Sequence, residues 1–276
     1  MHAPELRARA LEALCCADID EKCHLATHLW HQAAHMPLDT GATLHATATL
    51  PGRPASPRLI PPGSVPNRSP FTPEGGAALI HAICHIEFNA INLALDAVWR
   101  FAGMPREFYL DWLRVAAEEA YHFGLLRGHL RALPHVNPGK HWDYGDFEAH
   151  DGLWAMCEKT AGDITARMAL VPRTLEARGL DATPLIQAKL RKVGTPQALE
   201  TIAILDIILR DEVGHVAIGN HWYRWLCESQ GLDPVSHYRV LARQHSAPRL
   251  KPPFNAAARQ RAGFSQAELD YLQQVV

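Results

Sequence analysis

Along most of this chain apolar residues return at three- and four-residue steps, the spacing that lines one face of a helix. Nowhere do they alternate with polar residues as a half-buried strand requires. Ile80, Ile83, Ala90, Ile91, Ala94 and Val98 predict a helix from Pro73 to about Phe101, broken by Gly103-Met104-Pro105. A second is expected from about Arg106 to Leu133, with Trp112, Val115, Phe123 and Leu126 inward and Pro134 as its stop. After a polar loop (His135 to Phe147), a third should run from about Glu148 to Ala177, carrying Trp154, Ala161, Ile164, Met168 and Leu175. Pro172 should kink it and Gly179 should end it. A short helical turn near Leu185 to Lys192 precedes a fourth long helix, opened by Thr195-Pro196 and lasting to about Cys227.

The flanks read differently. Residues 3–16 and 18–34 predict two short helices, with Asp18 and Asp20 as starting signals for the second. The prolines between Pro51 and Arg68 disfavour helix and central strand, so an extended arm is expected, anchored by Leu59, Ile60 and Val65. Beyond the fourth helix, a last one over 265–274 opens with a capping box, Ser265 and Glu268. The fold expected is all-α: one domain over 1–276, with helices and arm in 1–72, a four-helix bundle in 73–230 and a basic extension in 231–276.

Composition narrows the class. With 276 residues, 47% of them hydrophobic and 20% charged, the chain is an ordinary globular protein able to bury a core. Its net charge of −2 gives no general attraction to nucleic acid. The six cysteines show no Cys-x-x-Cys and no disulfide framework, which points to a reducing cytoplasm. The N-terminus lacks the pattern of a signal peptide, and no stretch is read as reaching the roughly 20 apolar residues of a membrane span. Among the 17 histidines, His2, His31, His35, His45, His135, His141, His150, His237 and His245 are expected in loops or on polar faces.

Chemistry enters with a motif that occurs twice in apolar helical segments: Glu119-x-x-His122 and Glu212-x-x-His215. Residues three apart share a helix face, so each pair directs a carboxylate and an imidazole the same way. Glu119 shares its face with Trp112, Val115 and Leu126, and Glu212 with Leu205, Ile208 and Gly219. Glu87 stands on the stripe of Ile80, Ile83 and Ile91. A carboxylate on such a stripe is costly unless paired or metal-bound. A third copy, Glu21-x-x-His24, lies beside Lys22 at a helix start and reads as an exposed pair.

A fourth carboxylate should come from the third helix. Glu87 precedes Glu119 by 32 residues; Glu176 precedes Glu212 by a comparable 36 and Glu158 by 54, which favours Glu176 although it lies near the expected end at Gly179. Glu118 and Asp211, each just before a motif glutamate, are placed to orient the histidine of a facing helix, since a ligating imidazole usually donates its other N–H to such a group. Tyr121 lies beside the site in sequence and is either a hydrogen-bonding or redox group or a packing residue.

Two Glu-x-x-His helices plus one glutamate from each of two others are the ligand set of ferritin-like di-iron or di-manganese bundles. The chain resembles that superfamily. His85-Ile-Glu87, the stretch from Ala166 to Asp181 and the stretch from Ile207 to Asn220 further resemble a bacterial ferritin-like family called domain of unknown function 455, over nearly the whole chain. At the level of the bundle it is also similar to di-iron tRNA hydroxylases. The resemblance implies metal ligands Glu87, Glu119, His122, Glu176, Glu212 and His215.

Carboxylate-rich sites with one imidazole per metal favour iron, with manganese as the alternative, over zinc. The expected function is therefore a di-iron, O2-dependent oxidoreductase or hydroxylase acting on a small-molecule or RNA substrate. Two alternatives are an iron-handling ferroxidase and a non-catalytic bundle that binds RNA or another polyanion. The latter would use the acid-free stretch from Pro234 to Ala267, with Arg239, Arg243, Arg249, Lys251, Arg259 and Arg261. The same arginines also read as a strap pairing with acids on the bundle, the reading preferred for this stretch. No membrane is implied, and a homodimer is the default assembly.

Overall fold

The computed structural model describes residues 5–274, whose regular secondary structure is all helical, with no strand among them. They divide into two compact units, residues 1–154 and 155–276.

In the first unit the helices are α1 (Leu6–Cys15), α2 (Ile19–Gln32), α3 (Pro73–Arg100) and α4 (Arg106–Ala132). The expected starts are realised. Asp18 caps α2 by accepting from the Glu21 N–H at 2.8 Å, and Thr72 caps α3 ahead of Pro73. α3 and α4 pack along each other as a hairpin whose link passes through Gly103 at φ +78°, a conformation that favours glycine. α3 is buried on almost every side. By length and composition it could cross a membrane, contrary to the sequence expectation, yet 78% of its most apolar window is covered by protein.

Buried cations tie the short helices to this hairpin. Arg7, 1% exposed, donates to the carbonyls of Val98 and Trp99 in the last turn of α3 and to those of Asp39 and Ala42. Lys22 points inward too and donates to Leu14 O, Gly52 O and Asn92 Oδ1. Burial pulls the Lys22 ammonium down to about 7. The arm lies on this unit as expected, with Leu59, Ile60 and Val65 half-buried. It is held by the Ile60 N–H to Ala149 O, the Ala149 N–H to Arg58 O, and an Arg53–Asp151 pair at 2.7 Å.

The second unit departs from the sequence reading in its third helix. The expected run over 148–177 is three pieces: α5 (Gly152–Lys159), α6 (Ile164–Leu170) and a π-helical segment (Val171–Glu176), which leads into α7 (Ala177–Val193). Thr160 to Asp163 breaks the first two, and Asp163 caps α6 by accepting from Ala166 N. Pro172 has no N–H to give to the preceding turn, so the ladder widens into a π turn instead of simply kinking. Its ring seats against Gly219 of α8 (Pro196–Ser229), where an added Cβ would lie 2.6 Å from the proline.

Gly179 does not end the helix. α7 continues through it and through Pro184, absorbing the turn expected at 185–192, and stops at Gly194, φ +69°. The carbonyl that Pro184 leaves without its helical partner, Leu180 O, accepts from the Asn255 side chain at 3.1 Å. α9 (Pro234–Gln244), α10 (Ala256–Arg261) and α11 (Gln266–Gln274) complete the unit. The capping box of α11 forms: Ser265 N–H donates to Glu268, and Glu268 N–H to Ser265 Oγ. Its strap reading holds for Arg259, which is fully buried and donates to both oxygens of Asp181.

Candidate metal centre

α3 and α4 place three candidate ligands together inside the first unit. Glu87 stands on the stripe of Ile80, Ile83 and Ile91, all buried, and is itself 4% exposed. On α4, Glu119 and His122 share the face of Trp112, Val115 and Leu126, again all buried, and are both inaccessible to solvent. His122 Nδ1 lies 3.3 Å from Glu87 Oε2 and 3.5 Å from Glu119 Oε2. One ligand atom from each of the three falls within 4.8 Å of the others. Burial opposes charge on the His122 ring, but the two carboxylates overrule it and push the imidazole up to about 11.

This donor set fits a cation. Two carboxylates and one imidazole carry net negative charge even with the ring protonated, a donor set able to hold a positive ion.

In the second unit the other motif sits on α8. His215 is fully buried, its Nδ1 is 3.6 Å from Glu212 Oε1, and the Glu212 side chain is 12% exposed. Glu176 ends the π segment and is 9% exposed, whereas Glu158 on α5 is exposed. The objection that Glu176 lies near a helix end therefore falls, since α7 follows it directly.

The remaining residues singled out by sequence are less enclosed. Glu118 and Asp211 are half-buried; Asp211 is gripped by its neighbour Arg210 at 2.8 and 3.0 Å. Tyr121 is 53% exposed with its ring tilted against His122, so it is not a core packing residue. Glu21 and His24 are exposed, as expected. Of the histidines assigned to polar surroundings, His31, His35, His45, His141 and His150 are exposed, and His135, His237 and His245 half-buried. His2 lies outside the described residues.

A buried polar chain beside Glu87 escaped the sequence reading. His85 Nδ1 meets the Tyr144 hydroxyl at 2.8 Å, and its Nε2 meets the Asn89 amide at 2.9 Å and the His150 carbonyl at 3.1 Å. Burial holds the His85 imidazole down near 4. His85 and Asn89, one turn apart on α3, were a signal for it; Tyr144 was hidden in a segment read as a polar loop.

The chain is 46% identical over 274 residues to a Haemophilus influenzae protein described as an uncharacterized protein, covering 95% of this chain and 92% of that one. No solved structure matches it. The model of the family described as protein of unknown function, DUF455, matches residues 15–270, and the chain belongs to that family.

Proposed function

We propose that the chain is a di-metal protein of ferritin-like design, binding two iron ions and using O2 to oxidise or hydroxylate an organic substrate. The observation that carries this reading is the convergence of Glu87, Glu119 and His122 in a buried, oxygen-rich group. Glu87, Glu119 and His122 could hold one ion. Glu176, Glu212 and His215 of the second unit are the proposed additional ligands: His215 is fully buried with Glu212 beside it, and Glu176 is 9% exposed.

Ferrous ions bound there would supply the electrons that reduce O2. The chain's own part is to hold the ions away from bulk water. The glutamates neutralise their charge and the histidines fix one ion each. Apolar walls built from Ile80, Ile83, Ile91, Trp112, Val115 and Leu126 exclude water from the group in the first unit.

The test is spectroscopic. Iron-loaded protein should lose visible absorption on anaerobic reduction and regain it in air while consuming O2. Iron that stays ferrous in air would contradict the oxidase reading.

A second reading, the polyanion-binding bundle, rests on a groove of about 260 Å³ in the second unit. It is lined by Asn220, His221, Arg224, Trp225, Glu228 and Arg261, and Trp225 is 37% exposed. Arginines beside an open indole suit a stacked base with its phosphate. Quenching of tryptophan emission by single-stranded RNA, lost in Arg261→Ala, would support it. Unchanged emission would remove it.

A further inference from the structure

The third Glu-x-x-His copy takes no part in the centre described above, yet it is longer than its motif. On α2, Glu21 and His24 are followed by His28 and His31. At about 3.6 residues per turn, the three histidines fall within about 60° of the helix circumference, and Glu21 lies at the edge of the same face. All four residues are exposed. The His24 and His28 rings already stack, with centroids 5.7 Å apart and planes 14° apart.

The charge on this face is as telling as its geometry. Lys22 is the only Lys or Arg on α2, and it is turned fully into the core, its Nζ on Leu14 O, Gly52 O and Asn92 Oδ1. Nothing cationic from the helix itself therefore competes for the imidazoles. Asp20 is already paired with Arg127, which leaves Glu21 as the carboxylate beside His24.

We infer that this exposed face of α2 is a second metal site, binding a borderline divalent cation such as zinc, copper(II) or nickel through His24 and His28. Glu21, one turn before His24, is the additional donor, while His31 lies too far along the helix to share the same ion with it. Two imidazoles at i and i+4 can converge on one ion, as they do in helical zinc motifs. Imidazole nitrogen favours these metals, whereas the oxygen-rich buried group favours iron or manganese. The two sites are thus separated by chemistry as well as by place. The surface site binds without O2 chemistry, and its occupancy is independent of the function proposed above.

The experiment is calorimetric titration of the full chain with zinc chloride, comparing wild type with His24→Gln/His28→Gln. At pH 7.5 the wild type should take up one zinc more per chain than the double variant. That difference should vanish near pH 5.5, where protons displace metal from imidazole. Glu21→Gln should weaken the same step several-fold. Circular dichroism of the double variant checks its fold. Should that variant misfold, ring-proton resonances of His24 and His28 in the wild type must shift first on substoichiometric zinc. Equal zinc uptake by wild type and a folded double variant, or unmoved resonances, would overturn the site.

Discussion

At position 52 the backbone of the arm passes so close to the end of α1 that a side chain has nowhere to go. A Cβ there would lie 2.1 Å from Cys15 O, and the Gly52 carbonyl also accepts from buried Lys22. Gly52→Ala should cost roughly 1–3 kcal/mol, the usual range for forced overpacking. The check is the urea midpoint, and an unchanged midpoint would mean the arm is not seated as described. His81 sets a second residue-scale expectation. It is 1% exposed, accepts from the Gly145 N–H at Nε2, and burial holds its pKa down near 4. Its folded pKa lies below the ordinary imidazole value of about 6.5, so between those limits the unfolded chain binds the extra proton. Stability is thus full above pH 6.5 and lost as pH falls toward 4, by up to roughly 3 kcal/mol. In His81→Gln the fall of melting temperature with acid should be shallower; an identical slope would refute the assignment. Neither residue was legible beforehand. Gly52 matters through where the arm runs, and His81 through a loop that folds back on α3. Glu87, Glu119 and His122 were legible because an apolar stripe with a carboxylate in it is a local pattern.

At the scale of elements, α3, α4 and α8 begin and end close to where caps and prolines place them, because those signals act within one turn. The third helix was misread where its course depends on partners far along the chain, whereas its break at Thr160 to Asp163 carries a local cap. Pro172 is accommodated by the absence of a side chain at Gly219, and Pro184 by an amide from Asn255. Asn255 also caps α10, accepting from Ala258 N at 3.2 Å. Asn255→Ala should therefore leave Leu180 O without that donor and cost about 1–3 kcal/mol, the scale for a buried polar group stranded by a substitution. Thermal unfolding measures it, and a wild-type melting curve would show that the helix does not need the tail. The strap and polyanion readings of that tail divide by residue. Arg259 is fully buried on Asp181, while Arg243, Arg249, Lys251 and Arg261 are exposed.

For the molecule as a whole, the absence of strand periodicity was enough to give the all-helical class. The two compact units were not legible, since a boundary inside α5 has no signature of a linker. A metal that binds only the folded chain should raise its stability by about 2.7 kcal/mol at a hundredfold excess over Kd. Anaerobic ferrous iron should accordingly raise the melting temperature of wild type and leave that of His122→Ala unmoved. Equal shifts would place the iron elsewhere.

The most direct measurement is the iron and manganese content of protein purified from cells supplied with both metals, beside Glu119→Ala and His122→Ala prepared alongside. A paired-metal centre predicts roughly two ions per wild-type chain and a large loss in both variants, with their helicity retained. Wild-type protein that is folded, empty, and still empty after anaerobic ferrous loading would contradict the account.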